Sequence, residues 1–454
     1  MIEDIVKNAR EYFNTGATLD YKFRIEALKK LKKAIVMHEK DIFDALKADL
    51  GKSATESYMC EVGMVLSELN YAIKNLKKWM RNEKVRTPLA QFPSKSFIVK
   101  EPLGVVLVMS PWNYPFMLAI DPLIGALGAG NCAVIKPASY AKNTSLVIKK
   151  IIGECFEERY VSVVLGGREE NATLLEQRFD HIFFTGSVGV GKFVAEMASK
   201  NLTPVTLELG GKSPCVVDKT ANLKISARRV AFGKFLNVGQ TCVAPDYLLI
   251  DKSVKEEFLG YLKAEIVKMF GENPLSNENY GKIINEKHFA RIKLLIDSDK
   301  VVFGGKFDEK SLKLEPTILD NVTLDDACMK EEIFAPILPV LTFTTVDEAE
   351  KIIKKFEKPL ALYLFSTDKR VIKHFLTAVP YGGGCVNDTI IHLATTKMGF
   401  GGVGYSGYGS YHGKRSFLLF SHEKSIVKKS PSVDLPIRYQ PYSKLKDKLI
   451  RKFL

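Results

Sequence analysis

The sequence predicts an α/β protein built on a doubly wound parallel sheet, and three observations carry that expectation. From Gly104 onward, short apolar runs alternate with helical patterns. "GVVLVM", "CAVIKP", "VSVVLG" and "HIFFTG" are spaced by segments such as "FMLAIDPLIGALGAG" and "SLVIKKIIGECF". The runs close on turns rich in Gly, Pro, Ser and Asn, namely "SPWN", "KPAS" and "TGSVGVG". In such sheets ligands bind beyond the carboxyl ends of the strands, where these turns lie. Finally, 454 residues exceed one ordinary core, so two or three domains are expected.

The first 80 residues read as helices. "YKFRIEALKKLKKAIVMHEKDIFDALKADLGKS" repeats apolar residues at spacings of three and four, and Gly51 punctuates its end. In "VRTPLAQFPSKSFIVKEPLG" the prolines break helix and "SFIVK" reads as a short strand. The four strands of the alternating region follow. From about Gly210 a second α/β region begins, with a helix around "VKEEFLGYLKAEIVKMFG". "GFGGVGYSGYGSYHGK" is rich in glycine but carries aromatics, which predicts a tightly turned, ordered loop. "YSKLKDKLIRKFL" is a concentrated basic amphipathic segment.

Composition excludes several classes. Hydrophobic residues at 46% and charged residues at 26% place the chain among globular proteins. No apolar run is long enough to span a bilayer, and "MIEDIVKNAREYFN" lacks the basic-then-apolar order of a signal peptide. A cytoplasmic protein is expected. The seven cysteines are dispersed without a CxxC pair, which argues against a disulfide framework and against structural zinc. No metal is expected. A net charge of +14 invites a nucleic-acid partner, but Lys and Arg are mixed with acids along the chain, so none is expected.

"GSVGVGKF", Gly186 to Phe193, has the spacing of a phosphate-binding P-loop, but Phe193 stands where magnesium would need Ser or Thr. It is not GxGxxG either. A strand, a glycine turn and a helix N-terminus remain, which suit a phosphate; a plain βα turn is the alternative. Three further pieces carry chemistry. "GQTCVAP" holds Cys242 with no histidine near it in sequence. "TLELGGKSP" puts Glu208 after an apolar run, where burial would raise its pKa toward that of a general base. "SPWNYP" pins Asn113 between prolines, with an amide suited to an oxyanion. Taken singly, these are equally a buried thiol, an ion-paired glutamate and a turn asparagine.

"PWNYP", "FTGSVGVGK", "LELGGKSP", "GQTCVAPDY", "EEIFAPILPV" and "GFGGVGYSGYGSYHGK" occur in an order that resembles the aldehyde dehydrogenase superfamily over nearly the whole chain. The "YHGKRSF" ending looks most like its class 3 branch, which includes fatty and aromatic aldehyde dehydrogenases. The resemblance implies Cys242 as nucleophile, Glu208 as general base, and an oxyanion hole from the Asn113 amide and the Cys242 N–H. For the cofactor it implies Lys136 at the adenosine ribose, Gly186 and Ser187 at the pyrophosphate with Gly191 in the same glycine turn, and Glu332 and Phe334 at the nicotinamide ribose. Ser139 falls where many NAD-restricted relatives carry an acid, so NAD is expected and NADP as well. The implied division is a Rossmann-like cofactor domain (1–80 and 104–209), a small β bridging element (81–103, and 386–425 with the active-site loop), an α/β catalytic domain (210–385) and a basic tail (426–454). A homodimer is implied. The tail, with Leu445, Leu449, Ile450 and Phe453 near one helical face, suits an anionic membrane surface or docking on the protein itself.

The chemistry suits these residue types without the analogy. A thiolate attacks an aldehyde carbon, donors hold the oxyanion, a nicotinamide takes the hydride, and a base activates water against the thioester. Hydride is the leaving group, so no histidine has to protonate one. A CoA-acylating aldehyde dehydrogenase is the first alternative, and Glu208 argues against it. A non-catalytic structural or membrane-surface protein on the same fold is the second. Two departures from the family pattern stand out: Met398-Gly399-Phe400-Gly401-Gly402 replaces Leu-Pro-Phe-Gly-Gly, and Ala335-Pro336 replaces Gly-Pro. No arginine flanks Cys242 to select a charged aldehyde, so medium- or long-chain aliphatic or aromatic aldehydes are expected.

Overall fold

The computed structural model describes residues 1–453. Its first sheet has six strands in the order Gly407–Tyr408, Val205–Glu208, His181–Thr185, Val105–Met109, Cys132–Lys136 and Val161–Val163. All neighbours are parallel except Gly407–Tyr408, which runs antiparallel to Val205–Glu208. The central strands are buried on both faces, which is why they read as unbroken apolar runs. The helix Met117–Ala129 is buried all round, so its apolar residues show no stripe.

The chain leaves this sheet after Glu208 and enters the second at Pro214. That sheet has seven strands, ordered Val301–Phe303, Thr317–Leu319, Ile337–Phe343, Tyr247–Asp251, Pro214–Val217, Ala361–Phe365 and Gly383–Val386. It is parallel except at its first pair. Separate apolar clusters cover its two faces, one around Tyr247 and Phe375 and the other around Phe235 and Phe258.

A third, antiparallel sheet stands apart, formed by Glu83–Val85, Ser94–Pro102 and Ser421–Lys429. The two long strands pair end to end, from Ser421 opposite Pro102 to Lys429 opposite Ser94, and thus across residue 426. "SFIVK" is therefore the middle of a nine-residue strand. Glu83–Val85 gave no sequence signal, because it is three exposed residues long and two are charged. The tail ends in a helix, Lys444–Phe453, beside the turn Leu89–Gln91. Leu445 and Phe453 are exposed there, while Leu449 and Ile450 are half-buried. The expected face thus lies partly on the protein; Leu454 falls outside the described residues. Among the described residues no helix is long and apolar enough to cross a membrane.

One helix matters for the site. Ala54–Ser57 and Gly63–Trp79 are joined by a π turn over Tyr58–Val62. The extra residue re-aims the side chains around it, a feature common at functional sites.

Candidate active site

Cys242 follows a strained turn. After the helix Leu223–Phe235, Asn237, Val238 and Gly239 take φ of 52°, 55° and 72° in succession. Left-handed backbone costs a non-glycine residue about 1–2 kcal/mol, so something must hold it. Glu56 Oε1 accepts the Asn237 N–H at 2.9 Å. The Asn237 side chain donates to the carbonyls of Asn113 at 2.9 Å and Gln240 at 3.0 Å. Gln240 donates to the carbonyls of Asn237 and Lys282 and accepts from the Ile284 N–H. A Cβ on Gly239 would meet the Ala335 carbonyl oxygen at 2.3 Å, so glycine lets the cysteine turn lie against the Glu332–Phe334 loop.

Asn113 is buried in the turn after the strand Val105–Met109. Its Nδ2 donates to the Gln240 carbonyl at 3.0 Å, which uses one of its two hydrogens and leaves the other for an oxyanion. Next to it, the Tyr114 hydroxyl meets Thr241 Oγ1 at 2.6 Å. Asn113 and Cys242 both line one cleft.

Glu208 ends its strand in the same cleft, 3% exposed. Neither of its carboxylate oxygens has a hydrogen-bond partner among the described residues. Burial pushes its pKa well above the usual carboxylate range. Burial also raises the Cys242 thiol, and the charges of Glu332 and Glu208 push it further the same way.

Cys242 stands between two spaces. On one side is the cleft lined by Trp112, Ser187, Glu208, Arg291, Glu332 and Phe334. On the other is a cavity of about 180 Å³ whose walls include Met59, Met117, Phe232, Leu236, Ile391 and Phe400. Among the described residues lining that cavity none is Lys, Arg, Asp or Glu. His412 also lines it, although no histidine neighbours Cys242 in sequence. It stacks on Tyr411, and burial lowers its pKa to about 4, so it is neutral near pH 7.

The cleft fits a dinucleotide. Ser187 begins the helix Val188–Ser199 without a side-chain cap, which leaves first-turn N–H groups for a phosphate. Phe334, itself at φ 55°, packs edge-on against Trp112 with centroids 5.4 Å apart. Glu332 lies over Gly210, where a Cβ would meet its Oε2 at 2.2 Å. Burial, and next the charge of Asp246, raise Glu332 to about 8. Lys136 ends a strand two places along the sheet from that of Gly186, roughly 10 Å away at the normal strand spacing. Its Nζ donates to the Gly166 and Pro137 carbonyls at 2.7 and 3.0 Å, and burial lowers it to about 8. Ser139 is exposed in the turn beyond it. Gly191 differs from the other candidates. It is buried, and a Cβ there would meet Leu209 Cδ2 at 2.7 Å, so it lets the helix pack on the sheet and is not part of the cleft lining.

Several groups escaped the sequence reading: Glu56 and Gln240 at the cysteine turn, Arg291 at the Glu332 loop, and a buried pair, Lys52 and Glu61, behind Asn113. All lie far in sequence from the motifs they serve or bond through backbone atoms, so only Gln240, inside "GQTC", sat where a signal could be found. All seven cysteines are free thiols.

A parallel-sheet domain whose turns face a cysteine set on a second α/β domain is the build of a dinucleotide-dependent oxidoreductase with a thiol at its centre. The profile of the aldehyde dehydrogenase family matches residues 1–426, and the chain belongs to that family. It is an NAD(P)-dependent aldehyde dehydrogenase. It is 49% identical to 4,4'-diaponeurosporen-aldehyde dehydrogenase of Staphylococcus aureus, over 100% of this chain and 99% of that one. It is 45% identical to aldehyde dehydrogenase family 3 member H1 of Arabidopsis thaliana (99% and 94%) and 46% identical to the dimeric NADP-preferring aldehyde dehydrogenase of Rattus norvegicus (94% and 95%). The substrate-bound structure of Staphylococcus aureus AldH superposes with a TM-score of 0.98 at 49% identity, covering 100% of this chain and 99% of that one. Several of the similar proteins are named as family 3 members.

Proposed function

We propose that the chain oxidises long, uncharged aldehydes to carboxylates through a thioester on Cys242. The observation that carries this is the position of Cys242 between an apolar cavity and a cleft holding an unpartnered carboxyl, Glu208. An aldehyde enters on the apolar side and the Cys242 thiolate bonds to its carbonyl carbon. The second hydrogen of Asn113 Nδ2, with the Cys242 N–H, takes the oxyanion. NAD, or NADP, bound in the cleft supplies the hydride acceptor. Collapse of the oxyanion leaves the acyl group on sulfur. Glu208 then removes a proton from water as the oxygen attacks the thioester, which releases the carboxylate and returns the thiol. Glu332 and Phe334 hold the ribose nearest the reaction, Gly186 and Ser187 the pyrophosphate, and Lys136 the adenosine ribose.

The apolar lining supports medium- or long-chain aliphatic or aromatic substrates. The Staphylococcus aureus relative is named for 4,4'-diaponeurosporen-aldehyde, which belongs in any substrate panel. Ser139 and Lys136 favour use of both cofactors, and one relative is called NADP-preferring. That relative is also called dimeric, and a homodimer suits the long strands of the third sheet, Ser94–Pro102 mostly half-buried and Ser421–Lys429 mostly exposed. A cytoplasmic enzyme with peripheral membrane contact is the proposed setting. The tail helix carries exposed Leu445 and Phe453 among its lysines and lies beside the turn that bears exposed Leu89, the mixture that anionic bilayers bind. The deciding experiment is an aldehyde panel that follows NADH absorbance without CoA. Turnover that rises with chain length supports the reading. NADH that appears only when CoA is added points to acyl transfer, and an inert Cys242 points to a non-catalytic protein.

A further inference from the structure

Lys52 and Glu61 form an ion pair that is 1% and 0% exposed, with Nζ 2.5 Å from Oε1. Burying two charges this deeply has a desolvation cost that a lone pair seldom recovers, so their further contacts matter. The remaining ammonium contacts are the Asn113 carbonyl, at 2.9 Å, and the face of the Tyr114 ring, 4.1 Å to its centroid. The other Glu61 oxygen, Oε2, accepts the N–H groups of Phe116 at 2.9 Å and Met117 at 3.2 Å. The pair thus grips the chain at four of the five residues from Asn113 to Met117, the first of the helix Met117–Ala129. Glu61 lies in the π turn, and Lys52 just ahead of the helix Ala54–Ser57 that leads into it. The Asn113 carbonyl held by Lys52 also accepts from the Asn237 side chain, beside the cysteine turn.

We propose that Lys52, with Glu61, is a positioning residue for the oxyanion donor: it fixes the Asn113 peptide so that the amide, held at one hydrogen by Gln240, presents the other to the oxygen on the carbon bonded to Cys242. Neither residue lines the cleft or the apolar cavity. Of the groups the pair holds, Asn113 is the one proposed to touch the reacting atoms. The inference rests on the oxyanion role proposed for Asn113, and a double-mutant cycle separates the two.

The test measures the rate constant of the NADH burst in single-turnover stopped flow, per active site titrated, for wild type, Lys52→Met/Glu61→Gln, Asn113→Ala and the combination. The neutral double replacement is used because Lys52→Met alone would leave Glu61 buried without its counter-ion. Asn113→Ala should slow the burst about 100-fold, the usual effect of removing one oxyanion donor. Lys52→Met/Glu61→Gln should slow it about tenfold, since the donor is displaced and not removed. The same replacement should change the burst less than about twofold in the Asn113→Ala background, and NAD affinity should hold in both. Tenfold slowing in both backgrounds, or an unchanged burst in the wild-type background, overturns the proposal. A full-rate Asn113→Ala enzyme overturns the oxyanion role itself.

Discussion

Gly401 lies directly against Glu208. A Cβ at Gly401 would stand 3.2 Å from Glu208 Oε1 and 2.3 Å from the Gly409 carbonyl oxygen. The glycine loop thus closes against the carboxyl. Gly407 pairs with Glu208 in the sheet at φ 127°, close over the Leu207 carbonyl. Gly401→Ala must move either the loop or the base. Displacement of a base by a fraction of an ångström costs on the order of tenfold in rate. Steady-state turnover should fall by about that factor while the NADH burst keeps its amplitude, and equal loss of both would place the effect elsewhere.

Cys242→Ala should abolish oxidation, because no adduct forms and no hydride is released. Glu208→Gln should instead give a burst of about one NADH per site and then slow turnover. Mass spectrometry of quenched protein should find the acyl group on Cys242. Acylation of Cys215 or Cys385, or wild-type turnover by the glutamine variant, would refute the assignment.

The pH profile follows from two raised pKa values. Burial lifts Glu208, and burial with nearby negative charge lifts the Cys242 thiol. In the roles proposed for them both act deprotonated, so raising them shifts the working forms to higher pH. Activity should climb from pH 6 to pH 9. Glu208→Gln removes one of the charges that raise the thiol, so the pH midpoint of the burst rate should move down. A midpoint that moves up contradicts this electrostatic account.

Lys212 and Asp246 form a buried pair, 2.5 Å apart and 6% and 5% exposed. The ammonium also holds the Cys328 and Glu331 carbonyls at 2.9 Å, and Asp246 Oδ1 accepts the Ile333 N–H. They tie the Glu332 loop to the strand Tyr247–Asp251. Asp246→Ala strands a buried ammonium and should destabilise by about 3–5 kcal/mol. Denaturant unfolding, with NAD affinity measured on the folded fraction, checks both effects.

Ser139→Glu places a carboxylate near the 2′ position of a bound adenosine ribose, on the proposed cofactor placement. NADP use should fall about tenfold in kcat/KM, roughly 1.4 kcal/mol, with NAD nearly unchanged. Equal loss for both cofactors would detach Ser139 from that ribose. In the unmodified enzyme, NADP a thousandfold worse than NAD would require another excluding group.

Legibility in the sequence followed sequence distance. The parallel strands were readable because burial on both faces leaves unbroken apolar runs. Cys242 and Asn113 sat in turns and Glu208 at a strand end, each with a chemical reason of its own, and the structure brings all three to one cleft. The second tier was not readable. Glu56 meets Asn237, and Lys52 meets Asn113, through backbone atoms from far along the chain. A glutamate in a helix, or a lysine just ahead of one, gives no sign that it is buried. Gly191 shows the converse: a glycine inside a ligand-like motif serves Leu209 and the packing beneath.

Glu208 borders the dinucleotide side of Cys242, and the apolar cavity's lining does not include it. The water it activates and a nicotinamide ring would therefore compete for a single berth. Turnover becomes a matter of scheduling: the berth must empty between the two half-reactions, while the acyl chain keeps its own lodging behind the sulfur. Crowding the berth with spent dinucleotide should then delay hydrolysis without displacing the acyl group. The pace of the whole cycle would be set by vacating that space as much as by any bond made or broken at it.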